Sequence, residues 1–305
     1  MTIRDLLVSS RERFTSSEIK VMRELIANYP AAGLGTAGRL ARESGVSDPT
    51  VVRFVTKLGF AGYPAFQQSL LSEVEAQMAS PLSMFDRRSV DFAEDPCRAT
   101  MWTAVAAVEA NLATLLAADV SAAITIIADP KARVFCLGGR FSRYLAAILQ
   151  AHLFQLRTGT FLLAGTAADL IDTLADLTAR DVLVVFDYRR WQTDIVAFSE
   201  QAASRGARVV LFTDPWRSPI SNFAKVVLAS PVDSASPFDT MAPALALIEG
   251  LIAAMTTQAS ETARARITAV ERFRTTNRVT LDAPGTAARP AARWPKRVKT
   301  RKGSA

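Results

Sequence analysis

The sequence holds one histidine, His152, and two cysteines, Cys97 and Cys136, so it lacks the His/Cys clusters from which zinc and iron sites are built. The two cysteines show no metal spacing and read as small core residues of a protein in a reducing compartment. No apolar run reaches the roughly 18 residues of a membrane span, because charge interrupts or ends each Ala-rich stretch. No short apolar segment follows basic residues at the start, so no secretory leader is expected. A cytoplasmic chain without a membrane partner is the expectation. The dinucleotide fingerprint G-x-G-x-x-G is missing too, since Gly138 is followed by Gly139 and Arg140. No metal and no cofactor are expected. Acid is absent from residues 283–305, which carry Arg289, Arg293, Lys296, Arg297, Lys299, Arg301 and Lys302. Of 36 basic residues these seven account for the whole net charge of +7, leaving 29 basic against 29 acidic groups in residues 1–282. The high isoelectric point therefore belongs to a Pro-, Ala- and Arg-rich end without periodicity, expected to be disordered, and is no evidence about the rest.

What is present begins with residues 36–60, TAGRLARESGVSDPTVVRFVTKLGF, the pattern of two short helices joined by a tight turn. Thr36 is placed to cap the first helix, Leu40 and Ala41 give it an apolar side, and Gly45 stands where a left-handed residue ends it. Ser47 is placed to cap the second, with Asp48 and Pro49 in its first turn. Val51, Val55 and Leu58 are expected inside, and Thr50, Arg53 and Lys57 on the opposite face with Phe54 beside them. A hydroxyl-and-cation face on the second helix suits the DNA major groove, where arginine can bind guanine bidentately. Ser47, Thr50, Arg53, Phe54 and Lys57 are the candidate DNA-binding residues. The same pattern also fits an ordinary helical hairpin with a solvated face.

Around this unit, residues 15–29 and 65–78 read as further helices. Residues 80–98, with Pro81 and Pro96 and little periodicity, read as a linker. Met101, Val105, Val108, Leu112 and Leu115 then mark an amphipathic helix over 99–116, and a short helix is expected over 120–128. From residue 133 the period changes. Short apolar runs at 133–137, 159–163, 181–186, 208–212 and 225–229 alternate with helices over 142–156, 167–178 and 192–205, and helices close the chain over 240–273. Strands alternating with crossover helices imply a parallel, doubly wound sheet buried on both faces. The expected fold class is α + α/β, an all-helical helix-turn-helix domain followed by a doubly wound parallel sheet.

The stretch SDPTVVRFVTKLGFAGYPAFQQSL resembles the N-terminal domain of the MurR/RpiR family of bacterial transcription regulators, whose pattern S-x-x-T-V-x-R-F-x-x-K-L-G-F-x-G-[FY] it matches through Ser47, Thr50, Val51, Arg53, Phe54, Lys57, Leu58, Gly59, Phe60, Gly62 and Tyr63. The second part resembles the SIS (sugar isomerase) domain, the usual partner in that family. Its most specific piece is GARVVLFTDPWRSPISNFAKVVL at 206–228. The resemblance implies boundaries of 1–79 for the helix-turn-helix domain, 80–98 for the linker, 99–275 for a SIS-like ligand-sensing and dimerisation domain, and 276–305 for a basic tail.

Ligands of open α/β sheets bind beyond the carboxyl ends of the strands. There the sequence places Gly138, Gly139, Arg140 and Ser142 before a helix whose free N–H groups suit an anion, then Asp187, Arg189 and Arg190 after the third strand, and Thr213 after the fourth. In SIS domains the loop after the third strand is an S-x-S-G-x-T run that cradles a sugar phosphate. Here Asp187, Arg189, Arg190 and Gln192 stand at its four fixed places. The two arginines suit a phosphate or carboxylate, or an inter-subunit salt bridge. The eight residues named are the candidate ligand-binding set.

A sugar-phosphate isomerase is the alternative class, since SIS domains occur in those as well. That reaction needs a base near the substrate carbon. His152 lies among Ala151, Leu153 and Phe154 and reads as packed, Glu200 sits well inside a helix, and Asp187 and Asp214 remain. The reading that fits both parts is a non-enzymatic regulator. It is expected to bind an inverted-repeat operator in double-stranded DNA as a homodimer or homotetramer, and to sense a small anionic metabolite such as a sugar phosphate or sugar acid.

Overall fold

The computed structural model describes residues 3, 6–7, 14–78, 80–88, 95–165, 167–257, 261–277 and 279. In its helical part, α1 (Ser16–Ala27), the short α2 (Ala31–Leu34), α3 (Ala37–Ser44), α4 (Asp48–Lys57) and α5 (Tyr63–Met78) enclose one apolar core. Thr15 caps α1 in a capping box closed by Glu18. Thr36 caps α3 by accepting from Arg39 N, and Gly45 ends that helix in the left-handed region at φ 63°. Leu40, Val51, Phe54, Val55, Phe66 and Leu70 are fully buried here, with the Phe54 ring 4.7 Å from that of Phe14.

The stretch 80–98, expected as a linker, contains a helix, α6 (Pro81–Arg88), and the first three residues of α7 (Pro96–Thr114). Asp95 caps α7 through Arg98 N, and α8 (Ala117–Ala128) follows. The apolar stripe of α7 is largely uncovered: Met101, Val105 and Leu112 are exposed, as is Trp102, and the helix buries Ala107 and Asn111. Small residues let α7 lie close on α12 (Ala242–Thr257), where Asn111 Nδ2 donates to Pro243 O at 3.3 Å and Ser230 Oγ at 3.2 Å. Cys136 is in the core as expected, but Cys97, on the first turn of α7, is exposed.

The five strands are β1 (Val134–Gly138), β2 (Thr160–Leu162), β3 (Val182–Asp187), β4 (Arg208–Thr213) and β5 (Val226–Ala229). They form one parallel sheet in the order β2-β1-β3-β4-β5. Alternation along each strand feeds two cores. Val134, Cys136, Val182, Val184, Phe186, Val210 and Phe212 pack with α8, α9 (Arg143–Leu156) and α12. Phe135, Leu137, Leu183, Val185, Val209 and Leu211 face α10 (Ala167–Asp176) and α11 (Thr193–Ser204). A last helix, α13 (Glu261–Thr276), follows α12. Of the basic tail, residues 280–305 lie outside the described set. Among the described residues no single helix is long and apolar enough to cross a membrane.

The chain runs from β1 outward to β2 and then returns to the other side of β1 for β3. The strand order therefore reverses between β1 and β3, and the carboxyl ends of these two strands are where an open α/β sheet places its ligand crevice.

Candidate functional site

Two surfaces carry the candidate residues. On α4, the buried arc is Thr50, Val51, Phe54 and Val55, continued by Leu58, while Asp48, Pro49, Val52, Arg53, Thr56 and Lys57 are exposed. Phe54 is thus a core residue, shut in by Phe14, and cannot meet DNA while the domain is folded; its place among the DNA-binding candidates is corrected. Thr50 is 8% exposed. Its hydroxyl lies 3.0 Å from Ser47 Oγ and accepts from Arg53 Nη2 at 3.2 Å. Ser47 occupies the N-cap position of α4, but its side chain bonds Thr50 and makes no capping bond. Lys57 Nζ donates to Glu18 Oε2 at 2.8 Å, so it crosses to α1 and does not stand free. Burial works against the Glu18 carboxylate, but Lys57 and the Thr15 N–H and hydroxyl outweigh it and hold its pKa below the usual range. Pro49, Val52 and Thr56, at the middle of the exposed arc, were missed. A helical wheel centred on Phe54 as a buried residue would have found them.

At the crevice, Ser142 and Thr213 act as ties. Ser142 Oγ donates to Phe186 O at 2.6 Å and accepts from Gly139 N at 2.9 Å, fastening the turn after β1 to the end of β3. Thr213 Oγ1 donates to Asp187 O at 2.7 Å and accepts from Ser218 N at 3.1 Å, fastening β4 to β3. Both side chains are buried and engaged. Gly138 and Gly139 permit the close approach of backbone here: a Cβ at Gly138 would lie 2.6 Å from Arg143 N and from Ser142 C and O. The Gln192 carboxamide lies across this turn and accepts from Arg140 N. The first N–H groups of α9, expected to be free for an anion, are taken up by the turn before it: Arg143 N donates to Gly139 O at 2.9 Å and Tyr144 N to Phe141 O at 3.2 Å.

Asp187 is buried. Ser218 Oγ donates to its Oδ2 at 2.5 Å and Gln192 N to its Oδ1 at 3.4 Å. Burial pushes this carboxyl up to about 6, against those two hydrogen bonds. Asp214, fully buried, accepts from Trp191 Nε1 at 2.9 Å, Trp216 N at 2.9 Å and Arg217 N at 3.2 Å, and burial pushes it up to about 6 as well. Arg189 was expected to face an anion or a second subunit. Within the chain it forks onto Asp239, with Nε 2.9 Å from Oδ2 and a second nitrogen on Oδ1, and lies against the Trp216 ring and Met84 Sδ. Asp239 is 50 residues away in sequence, and its role carries no local signal.

Arg190 is exposed and left-handed at φ 61°. It occupies the glycine place of the S-x-S-G-x-T pattern and keeps the glycine conformation, at a cost of roughly 1–2 kcal/mol for a side-chain-bearing residue. Arg140 is exposed, its guanidinium over the Phe141 ring at 4.7 Å. Among the described residues no carboxylate pairs with Arg140 or Arg190, so these two cations stand at the mouth. Two clefts lie elsewhere. One of about 420 Å³ is lined by Phe154, Val270 and Phe273, and one of about 570 Å³ by Asp129, Arg180 and Arg208. His152, expected to be packed, is exposed on α9.

Comparison with known proteins matches residues 1–77 to the helix-turn-helix domain of the rpiR family and residues 126–254 to the SIS domain. Among solved structures, the sugar isomerase domain of an RpiR transcription factor from Sphaerobacter thermophilus is 24% identical, with a TM-score of 0.54 over 57% of this chain and 96% of that one. The NanR protein of Vibrio vulnificus, complexed with ManNAc-6P, is 17% identical, with a TM-score of 0.53 over 89% of this chain and 98% of that one. A phosphoheptose isomerase from Neisseria gonorrhoeae is 15% identical, with a TM-score of 0.46 over 52% of this chain and 96% of that one.

Proposed function

This chain belongs to the MurR/RpiR-type transcription regulators, with an rpiR-family helix-turn-helix domain and a SIS domain, and we propose that it reads an operator with α4 and responds to a small sugar-derived anion at the β1/β3 crevice. The observation that carries the DNA part is the exposed arc of α4, with Arg53 uncovered on a helix whose other side is locked into the core. Replacing Arg53 by Ala should weaken operator binding by about 1–3 kcal/mol and relax the base preference at one position of each half-site. Binding isotherms of wild type and variant on operator duplexes check this. Equal affinity for the two proteins would remove α4 as the reading element.

Support for an anion at the crevice comes from Arg140 and Arg190 at its mouth. The phosphate of a sugar phosphate, or the carboxylate of a sugar acid, would meet these two guanidiniums. The ligand acts by binding one arrangement of the reading heads better than another. We also propose that the domain binds without turnover. The two carboxyls with raised pKa, Asp187 and Asp214, are each held by inward hydrogen bonds from the protein.

A homodimer is the assembly we favour, because the exposed stripe of α7 is what a second copy would cover. Met101, Val105 and Leu112 fall along one line of that helix, and Leu112 is 69% exposed. Leu112→Glu should leave the fold intact and shift the protein toward monomers in sedimentation velocity. A variant sedimenting like the wild-type dimer would move the interface elsewhere.

A further inference from the structure

We infer that Val52 is a specificity-determining residue of the operator complex and that it reads the 5-methyl group of a thymine. The inference rests on α4 being the reading helix and names what the centre of its exposed face recognises.

The exposed residues of α4 span half of the helix circumference, from Asp48 on one side to Lys57 on the other. Lys57 at one edge is paired with Glu18. The middle of the face is Pro49, Val52, Arg53 and Thr56, and three of these four present carbon. Val52 is 42% exposed. Thr56, one turn further on, donates its hydroxyl to Val52 O at 2.9 Å, so that donor is turned back on the helix. A β-branched residue is a poorer helix former than alanine, and with 42% of its surface exposed Val52 is only partly compensated by packing. The stability of α4 alone therefore gives little reason for a valine at position 52.

In the major groove the apolar feature of base edges is the thymine methyl, and apolar side chains contact it there. Val52 stands next in sequence to Arg53, the group suited to the N7 and O6 acceptors of guanine. The pair can read a thymine methyl beside a guanine, an apolar and a charged contact from adjacent positions. The hydroxyls that sequence alone put on this face, Ser47 and Thr50, bond each other at the rim.

The test uses the full-length protein and duplexes enriched by wild type from a randomised library. Each thymine is replaced in turn by deoxyuridine, which keeps the Watson–Crick edge and removes only the methyl group. Wild type should lose about fourfold in affinity at one thymine of each half-site, the effect of one buried methyl at about 0.8 kcal/mol. Val52→Ala should bind the thymine and deoxyuridine duplexes equally while keeping its discrimination at the guanine. If Val52→Ala shows the same thymine-to-deoxyuridine ratio as wild type at every position, the assignment of Val52 is wrong although the helix still reads DNA. A wild-type protein that enriches no sequence would remove the regulator reading of α4, and this assignment with it.

Discussion

Replacing Arg189 by alanine should destabilise the sheet domain by about 3 kcal/mol, the low end of what breaking one side of a buried ion pair costs. The Arg189 side chain is 4% exposed and that of Asp239 is 23% exposed, so the carboxylate left behind is only partly reached by water. The guanidinium also packs against Trp216 and Met84. It thereby joins the loop after β3 to the approach to α12 and to helix α6. In a domain of this size the loss corresponds to a midpoint roughly 6–12 °C lower in a thermal scan. The double variant Arg189→Met, Asp239→Leu should recover part of it, because no charge is then left unpaired. If the single variant melts within about 1 °C of wild type, the pair contributes nothing and Arg189 is free to turn toward a ligand.

A larger loss is expected at Gly138. A methyl group there meets the backbone of Ser142 and Arg143 at 2.6 Å, and backbone cannot swing aside as a side chain can. The start of α9 must lift away from β1. That loosens the packing of Leu145 and Leu149 and breaks the two hydrogen bonds through which Ser142 holds Gly139 and Phe186. Overpacking at ~1–3 kcal/mol and two bonds at ~1 kcal/mol each put Gly138→Ala at about 3–5 kcal/mol, read as a lower denaturant midpoint with unchanged slope. Gly250→Ala is the matched control. Nothing lies within 4 Å of the added methyl in mid-α12, so that variant should gain about 0.5–1 kcal/mol from helix propensity alone. Losses of equal size at both positions would show that the clash at Gly138 is relieved by a small shift.

The elements that were legible in the sequence owe their signal to local rules. Runs such as Val182–Asp187 are apolar at every place because strands buried on both faces leave no polar side, and a parallel order follows from the helices between them. Thr36 and Gly45 mark the ends of α3 through chemistry that works within three residues. Phe54 was misplaced because its cover, Phe14, comes from before α1, outside any helical period. The stripe on α7 was legible as amphipathic, but periodicity does not say which side of a helix packs. The side that packs holds Ala107 and Asn111, whose small volume matters more than their polarity. At the crevice the glycines and Ser142 were visible as a turn. The engagement of Arg189 by Asp239 and of Gln192 by Arg140 N depends on three-dimensional closure alone.

The bond between Lys57 and Glu18 bears on how this protein finds DNA. Affinity for a polyanion grows with the number of condensed counterions a protein displaces, and each free lysine or arginine against a phosphate displaces about one. Lys57 reaches a phosphate only by leaving a buried carboxylate, so the exchange swaps one ionic contact for another instead of adding one. Residues 1–282 carry as many acids as bases. The expected result is that this reading head by itself is held weakly by random sequence, which titration of a nonspecific duplex at several salt concentrations checks. Its residence on an operator should then follow base contacts from the middle of α4 more than ionic strength.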